Sequence, residues 1–312
     1  MKKRTGILIF TIILSILLTG AYIGFSYFKR LPRKELPKSN EELGIVPEGK
    51  IDKEIYNIAL FGLDARNPDV SSRSDSIIVA SVNRKAKNIK ITSFMRDLYI
   101  PIPGHGENRI NAAYAIDGAK LAVKTINQNF NLDIRDYITV NFEGLEKLVD
   151  AIGGVEIYVK KAEIPVLNKY LSELNKLQGN TVADIKKEGL QILNGRQAVA
   201  YSRIRYVGNG DYERTERQRR VLNQIYIKIK AQGMSKLPET ISKVFPYVET
   251  SLSNTQILTL VTDIMGFNLT ELEEYRIPVD KTFTPKKIKG MAVLVPDIPK
   301  NKELLHKFIY EK

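Results

Sequence analysis

Arginine is concentrated in one short stretch of this chain: Arg203, Arg205, Arg214, Arg217, Arg219 and Arg220 all fall within residues 203–220. Gly210-Asp211 opens a helical pattern that runs to about Lys230, with Leu222, Ile225 and Ile229 as its apolar stripe and Val221 beside it. Stepping back from Leu222 at helical spacing reaches Gln218 and then Arg214, so these two polar residues continue the face that packs inward. Arg219, Asn223, Tyr226 and Lys230 fall on another face, expected to be solvated. A charge that points into the protein needs a partner or a cavity. Planar guanidinium forks near Arg203 and Arg205 suit a phosphate or pyrophosphate, which they bond two oxygens at a time.

The carboxylates that could serve the same ligand lie elsewhere. Asp64 directly follows one apolar run, the sequence RSDS places Arg73 and Asp75 just ahead of a second, and Arg96-Asp97 follows a third. Ligands of α/β sheets gather beyond strand ends, which is where these residues sit. Asp64 and Asp75 on neighbouring strands would present two hard oxygen ligands, suiting Mg²⁺ (or Mn²⁺) bridged to phosphates; ion pairs with Arg66 and Arg73 are the competing reading. Asp75 and Asp211 are candidate general bases, although a metal-bound carboxylate is a poor one. Cysteine is absent and only His105 and His306 occur, which excludes thiol nucleophiles, disulfides and zinc cages.

These side chains need a scaffold, and the pattern supplies one. Tyr56–Leu63 is a continuous apolar run expected as a buried strand. Ser76–Val82 and Ile89–Phe94 are β-branched runs joined by NRKAKN, a hairpin signature. Asn111–Phe130 reads as a helix with Ala115, Ala119, Ala122, Val123, Ile126 and Phe130 on one stripe. Tyr137–Phe142, Glu143–Ile152 and Val155–Val159 follow as strand, helix and strand. Alternation of this kind predicts an α/β fold with a mixed central sheet sandwiched by helices. Residues 160–190 read as a helical excursion, a lid or an insertion, and the tail after Leu237 as helices with one strand, Met291–Val295.

The 312 residues carry 48 Lys+Arg against 35 Asp+Glu, a net charge of +13. Residues 1–34 hold +7 of this and no acid, leaving +6 for the remaining 278 residues, too mild for a nucleic-acid binder. Thr5–Phe28 is uncharged and apolar; as a helix it would span about 36 Å against about 30 Å of bilayer hydrocarbon. It is read as a retained membrane anchor, with a cleaved signal peptide as the alternative. Three regions result: residues 1–28 as cytoplasmic stub and transmembrane helix, 29–53 as a proline-punctuated stalk, and 54–312 as one external domain.

Taken in order, NIALFGLDAR (57–66), SRSDSIIVASVNRK (72–85), TSFMRDLYIPIPGHG (92–106), NRINAAYA (108–115), VNFEGLEKLVDAIGGVEI (140–157) and LNGRQAVAYSRIRYVGNGDYERTERQRRVL (193–222) resemble the LytR–CpsA–Psr family of cell-wall glycopolymer transferases. These stretches fall within residues 57–222, about half the chain. The resemblance implies that Asp64 and Asp75 hold Mg²⁺ beside a lipid-linked pyrophosphate, and that Arg73, Arg96, Arg203, Arg205, Arg214 and Gln218 bind its phosphates. Asp75, Arg96, Arg203 and Arg214 would then be the catalytic set. Arg109 stands where the family often has lysine and is expected to add a further basic group to the pyrophosphate-binding set; Met95 stands where the family commonly has proline. The implied reaction moves a glycopolymer phosphate from a polyprenyl pyrophosphate to a peptidoglycan hydroxyl, at the outer face of the cell membrane of a Gram-positive type envelope. A pyrophosphatase using the same clamp with water, and a non-catalytic module that only grips wall polymer, are the rival readings.

Overall fold

In the computed structural model, residues 33–46, 52, 54–64 and 73–311 are described. The expected anchor at 5–28 lies outside them; among the described residues no helix is long and apolar enough to cross a membrane.

The central sheet has six strands, in the order Glu273–Ile277, Asn88–Phe94, Ser74–Asn83, Ile55–Leu63, Asp136–Asn141 and Val248–Thr250. β1 (Ile55–Leu63), β2 (Ser74–Asn83) and β3 (Asn88–Phe94) form an antiparallel meander. β6 (Asp136–Asn141) joins β1 in parallel, as the intervening helix α1 (Asn111–Phe130) requires. The sheet is therefore mixed, as the alternation of elements predicts. Its two edges come from the tail: β9 (Val248–Thr250) pairs with β6, and β10 (Glu273–Ile277) pairs with β3. Neither edge was expected, because VET and EEYRI are short, charged and without clear alternation.

Strand residues alternate between two faces. Ala59, Phe61, Ile77, Val79 and Phe94 pack with Ile126 and Phe130 of α1 and with Leu305 and Ile309 of the last helix, α8 (Ile298–Tyr310). Ile58, Ile78, Ala80, Ile89 and Ile91 face Tyr226 of α5 (Asp211–Gln232) and Leu260 of α7 (Asn254–Gly266). α1 is one element with a break at Asp117-Gly118, where Gly118 takes a φ of 57°.

A second core lies to one side. It joins α2 (Phe142–Ala151), β7 (Val155–Val159), α3 (Ile164–Gln178), β8 (Gly189–Leu193) and α4 (Gly195–Ser202) to the inner face of α5. Residues 160–190 are thus part of a packed layer: Leu167, Leu171 and Leu174 of α3 are buried in it. A buried guanidinium fastens this layer, since Arg196 bonds Glu146 at 3.1 Å and Asn175 at 2.9 Å.

Residues 33–46 differ from the expected stalk. Arg33 bridges to Thr250 at the sheet edge, and Leu36, Leu43 and Ile45 enter the core beside α1. Asn127 donates to the Leu43 carbonyl at 2.9 Å. Three apolar residues spaced seven and two apart show no helix or strand period, so only the tertiary contacts reveal that this segment belongs to the domain.

Candidate active site

The site forms where β1 ends and β2 begins. Gly62 pairs with Ser76 and Leu63 with Ser74, so Asp75 is the extra residue of a β-bulge at the sheet rim. Bulges re-aim side chains, and here the bulge turns Asp75 toward the arginines. Gly62 is required for this closeness, since a Cβ there would stand 2.9 Å from that of Ser76. Asp64 follows immediately on the paired strand, so the register places the two aspartates at adjacent strand ends.

Arg96 leaves the end of β3 and reaches both sides of the cluster. Its Nη1 donates to Asp75 Oδ1 at 3.3 Å, and its Nη2 donates to Asp211 Oδ2 at 3.2 Å. Arg205 also spans the two, lying 3.4 Å from Asp75 Oδ2 and 3.3 Å from Asp211 Oδ1. Arg109, on β5 (Gly106–Arg109) of the hairpin with β4 (Tyr99–Ile102), holds Asp97 at 2.9 Å. Arg214 extends back along α5 to donate to the Asp75 carbonyl at 3.3 Å.

Charge balance in the cluster is incomplete. Arg214 is only 2% exposed; its Nε lies 3.4 Å from Asp211 Oδ1, an ion pair in which neither atom completes a hydrogen bond. Burial lowers the Arg214 pKa to about 10, against the upward pull of Asp211 and with Arg205 and Arg96 adding repulsion. The guanidinium stays charged at neutral pH, and its burial is costly even with Asp211 3.4 Å away. Burial also raises the Asp97 carboxyl; Arg96 opposes the rise and a hydrogen bond shared with Asp211 adds to it. Asp211 goes the other way: burial pushes it up, but Arg214, Arg96 and Arg205 together outweigh burial and hold it below the usual carboxylate range.

Other expected site residues sit apart from this cluster. Arg203 lies between two rings, its guanidinium carbon 4.7 Å from the centre of Tyr170 and 5.2 Å from that of Phe142, with Glu173 at 3.5 Å. Arg73 is exposed at the head of β2. Arg219, expected on a solvated face, is 9% exposed and bonded to Glu274 of β10 at 2.7 Å. The rest of that face is covered too: Tyr226 is buried, Asn223 accepts from the Leu272 amide, and Lys230 donates to the Met265 carbonyl. The tail packs against this side of α5, which helical phase alone cannot reveal.

Nothing in the helical pattern marks Arg217 as a positioned residue. It is fully buried, paired with Glu163 at 2.8 Å and Glu213 at 2.7 Å, and it donates to the carbonyl of Ile204 at 3.2 Å. A longer bond reaches the carbonyl of Val207. Arg217 therefore holds the irregular segment that presents Arg203 and Arg205. Gly208 lies in the same segment, with φ of 71°, and any Cβ there would collide with the Glu213 carboxylate.

Directly behind the cluster opens an apolar cavity of about 540 Å³ between the sheet and helices α5, α6 (Leu237–Val244) and α7. Ile58, Ile78, Ile225, Val244 and Leu260 are among its walls, while Asp75 and Gln218 stand at its polar end. The inward phase of Gln218 read from the helix brings it to this boundary. Among the described residues no group of three or more acidic or histidine side chains forms a metal cage. Asp64 and Asp75 alone are two oxygen donors, which fits a divalent ion only where phosphate oxygens and water complete its shell.

A family model for the LytR_cpsA_psr family matches residues 31–308. The chain belongs to the LytR–CpsA–Psr family. It is 33% identical over 259 residues to the polyisoprenyl-teichoic acid–peptidoglycan teichoic acid transferase TagU of Enterococcus faecalis, covering 80% of each chain. Its fold matches TagT solved with bound LI-WTA at a TM-score of 0.67 and 25% identity, over 87% of this chain and 98% of that one. The family protein YwtF (TagT), solved with octaprenyl pyrophosphate, matches at 0.63 and 24% over the same shares.

Proposed function

We propose that this protein transfers an anionic glycopolymer from a polyprenyl pyrophosphate to a hydroxyl of peptidoglycan, releasing polyprenyl phosphate. One observation carries the reading: Asp75, held by Arg96, Arg205 and Arg214, lines the end of a cavity whose walls are mostly apolar. A ligand matching both parts has a multiply charged head and a long hydrocarbon tail. In support, the similar TagU is named a polyisoprenyl-teichoic acid–peptidoglycan teichoic acid transferase, and YwtF (TagT), of like fold, was solved with a bound octaprenyl pyrophosphate lipid.

In this reading Arg96, Arg205 and Arg214 bind the two phosphates, and Gln218 marks the junction with the lipid. The acceptor hydroxyl oxygen forms a bond to the phosphorus that bears the polymer, and the bond from that phosphorus to the bridging oxygen breaks. The electron pair leaves on polyprenyl phosphate, whose growing charge the guanidinium groups neutralise. The proton of the hydroxyl passes to Asp211, whose carboxylate lies among Arg96, Arg205 and Arg214. Such a base is weak, which suffices where bond breaking leads and the proton leaves late. Asp64 and Asp75 would hold Mg²⁺, which when bound supplies further positive charge to the phosphate oxygens. Residues 1–28 would anchor the chain in the cell membrane with the domain outside, next to its lipid-borne donor.

The experiment is reconstitution of the full chain in lipid vesicles with a short polyprenyl-pyrophosphate glycopolymer and peptidoglycan oligomers. Mass spectrometry should find polymer joined to peptidoglycan through a phosphodiester. Free polymer phosphate in its place identifies a hydrolase, and no release of polyprenyl phosphate identifies a binding module.

A further inference from the structure

One basic surface is used by neither the arginine cluster nor the cavity. Residues 281–296 comprise β11 (Phe283–Ile288), β12 (Met291–Pro296) and their lead-in, and they contain Lys281, Lys286, Lys287 and Lys289 but no acidic residue. These lysines are exposed, and none has a carboxylate partner among the described residues. Exposed lysines are ordinarily only a solvated face, so their position decides the matter.

The ribbon is fixed to the reaction centre at two points. The Leu294 amide donates to the Asp97 carbonyl at 2.9 Å. The Phe283 ring centre lies 6.1 Å from that of Tyr212, which directly follows Asp211. The Arg276 guanidinium covers the Tyr212 ring at 4.5 Å and is itself held by Asp280 at 2.5 Å. A partly exposed aromatic and cationic step thus begins beside Asp211 and leads onto the ribbon. Phe283 and Lys287 share one face of β11, and four residues of antiparallel strand span about 14 Å.

We infer that this ribbon binds the polymer being transferred, beyond its first sugars, and favours polymers whose repeats carry phosphate. The inference rests on the transferase reading of the cluster. Aromatic rings beside Asp211 offer apolar surface to sugar faces, and unpaired lysines farther out offer charge to successive phosphates. Much of the domain's small cationic excess is gathered in this one acid-free stretch. A polyanion bound in this way releases counterions, so its affinity falls with added salt.

The test is equilibrium binding of the full chain, in zwitterionic nanodiscs, to two probes with the same short polyprenyl pyrophosphate and first disaccharide. One probe ends there; the other continues into a glycerol-phosphate oligomer. The oligomer probe should bind more tightly, by a margin that shrinks with salt. K287Q/K289Q should weaken the oligomer probe roughly three- to tenfold, the size of two exposed ion pairs, and leave the short probe unchanged. K85Q/K87Q, removing equal charge from the β2–β3 turn at the opposite end of the sheet, should alter neither. Equal binding of both probes to the unaltered protein overturns the inference, as does equal weakening by the two double variants. A loss only of binding to anionic vesicles overturns it in favour of a lipid-facing ribbon. Failure of the short probe to bind would count against the transferase reading, while the difference between the probes alone decides the ribbon.

Discussion

Arg217 and Glu163 form an ion pair at 2.8 Å in which neither side chain is exposed, and the same guanidinium bonds the carbonyl of Ile204 between Arg203 and Arg205. The pair ties a helix that begins at the reaction centre to the layer built by residues 160–190. Removing one member of a buried pair strands the other's charge.

Arg217→Ala should therefore destabilise the domain by about 3–5 kcal/mol, read as a lower urea midpoint. Arg217→Lys keeps the charge but cannot reproduce the fork. It should retain most of the stability yet raise the KM for the lipid donor more than it lowers kcat, because the segment carrying Arg205 is displaced.

Arg214→Gln separates binding from stability. Its guanidinium is buried near Arg96 and Arg205, and burial together with their repulsion lowers its pKa, so the fold disfavours the charge. Thermal stability without ligand should stay level or rise, while pyrophosphate affinity falls by roughly 30- to several-thousand-fold, the range for about 2–5 kcal/mol. Isothermal calorimetry beside a melting curve reads both.

Asp97 gives a pH signature. Its folded pKa is raised, so it contributes stability that is fully present below the unfolded carboxylate pKa and lost as pH rises through the folded value. Asp97→Asn removes this dependence. The stability of Asp97→Asn minus that of the unaltered protein should accordingly increase with pH across the carboxylate range and level off above it, as measured by denaturant titration at a series of pH values.

Asp64→Asn and Asp75→Asn each remove one negative charge from adjacent strand ends. Mg²⁺ should bind the unaltered protein well only with a short polyprenyl pyrophosphate present, since two carboxylates cannot fill an octahedral shell. Each substitution should weaken metal binding and slow transfer together. Undiminished transfer in EDTA would leave these aspartates as ion-pair partners, the role Asp75 already plays toward Arg96 and Arg205.

How much of this was readable from sequence depends on where the partners lie. β1, β2, β3, β6 and β7 and helices α1, α2 and α5 follow from periodicity, because each buries a regular stripe. The inward course of Arg214 follows from the phase of α5, since Leu222 and Ile225 lie on its own helix. Arg217 and Arg219 do not, because Glu163 and Glu274, which hold them, are more than fifty residues away. The cavity is equally hidden: Ile58 and Ile78 line open space while Ala59 and Ile77 fill a core, and a strand pattern reads the same for both. Leu36, Leu43 and Ile45 are core residues that the sequence does not reveal, because a segment without secondary structure has no period to betray its burial.

The central claim is that the arginine cluster and the apolar cavity bind the two ends of one molecule. Calorimetry of pyrophosphate carrying isoprenoid tails of increasing length tests it most directly. Affinity should rise with each added isoprene unit until the cavity of about 540 Å³ is filled, and Arg214→Gln should lower every member of the series by the same factor. An affinity independent of tail length, or a series unaffected by Arg214→Gln, would contradict it.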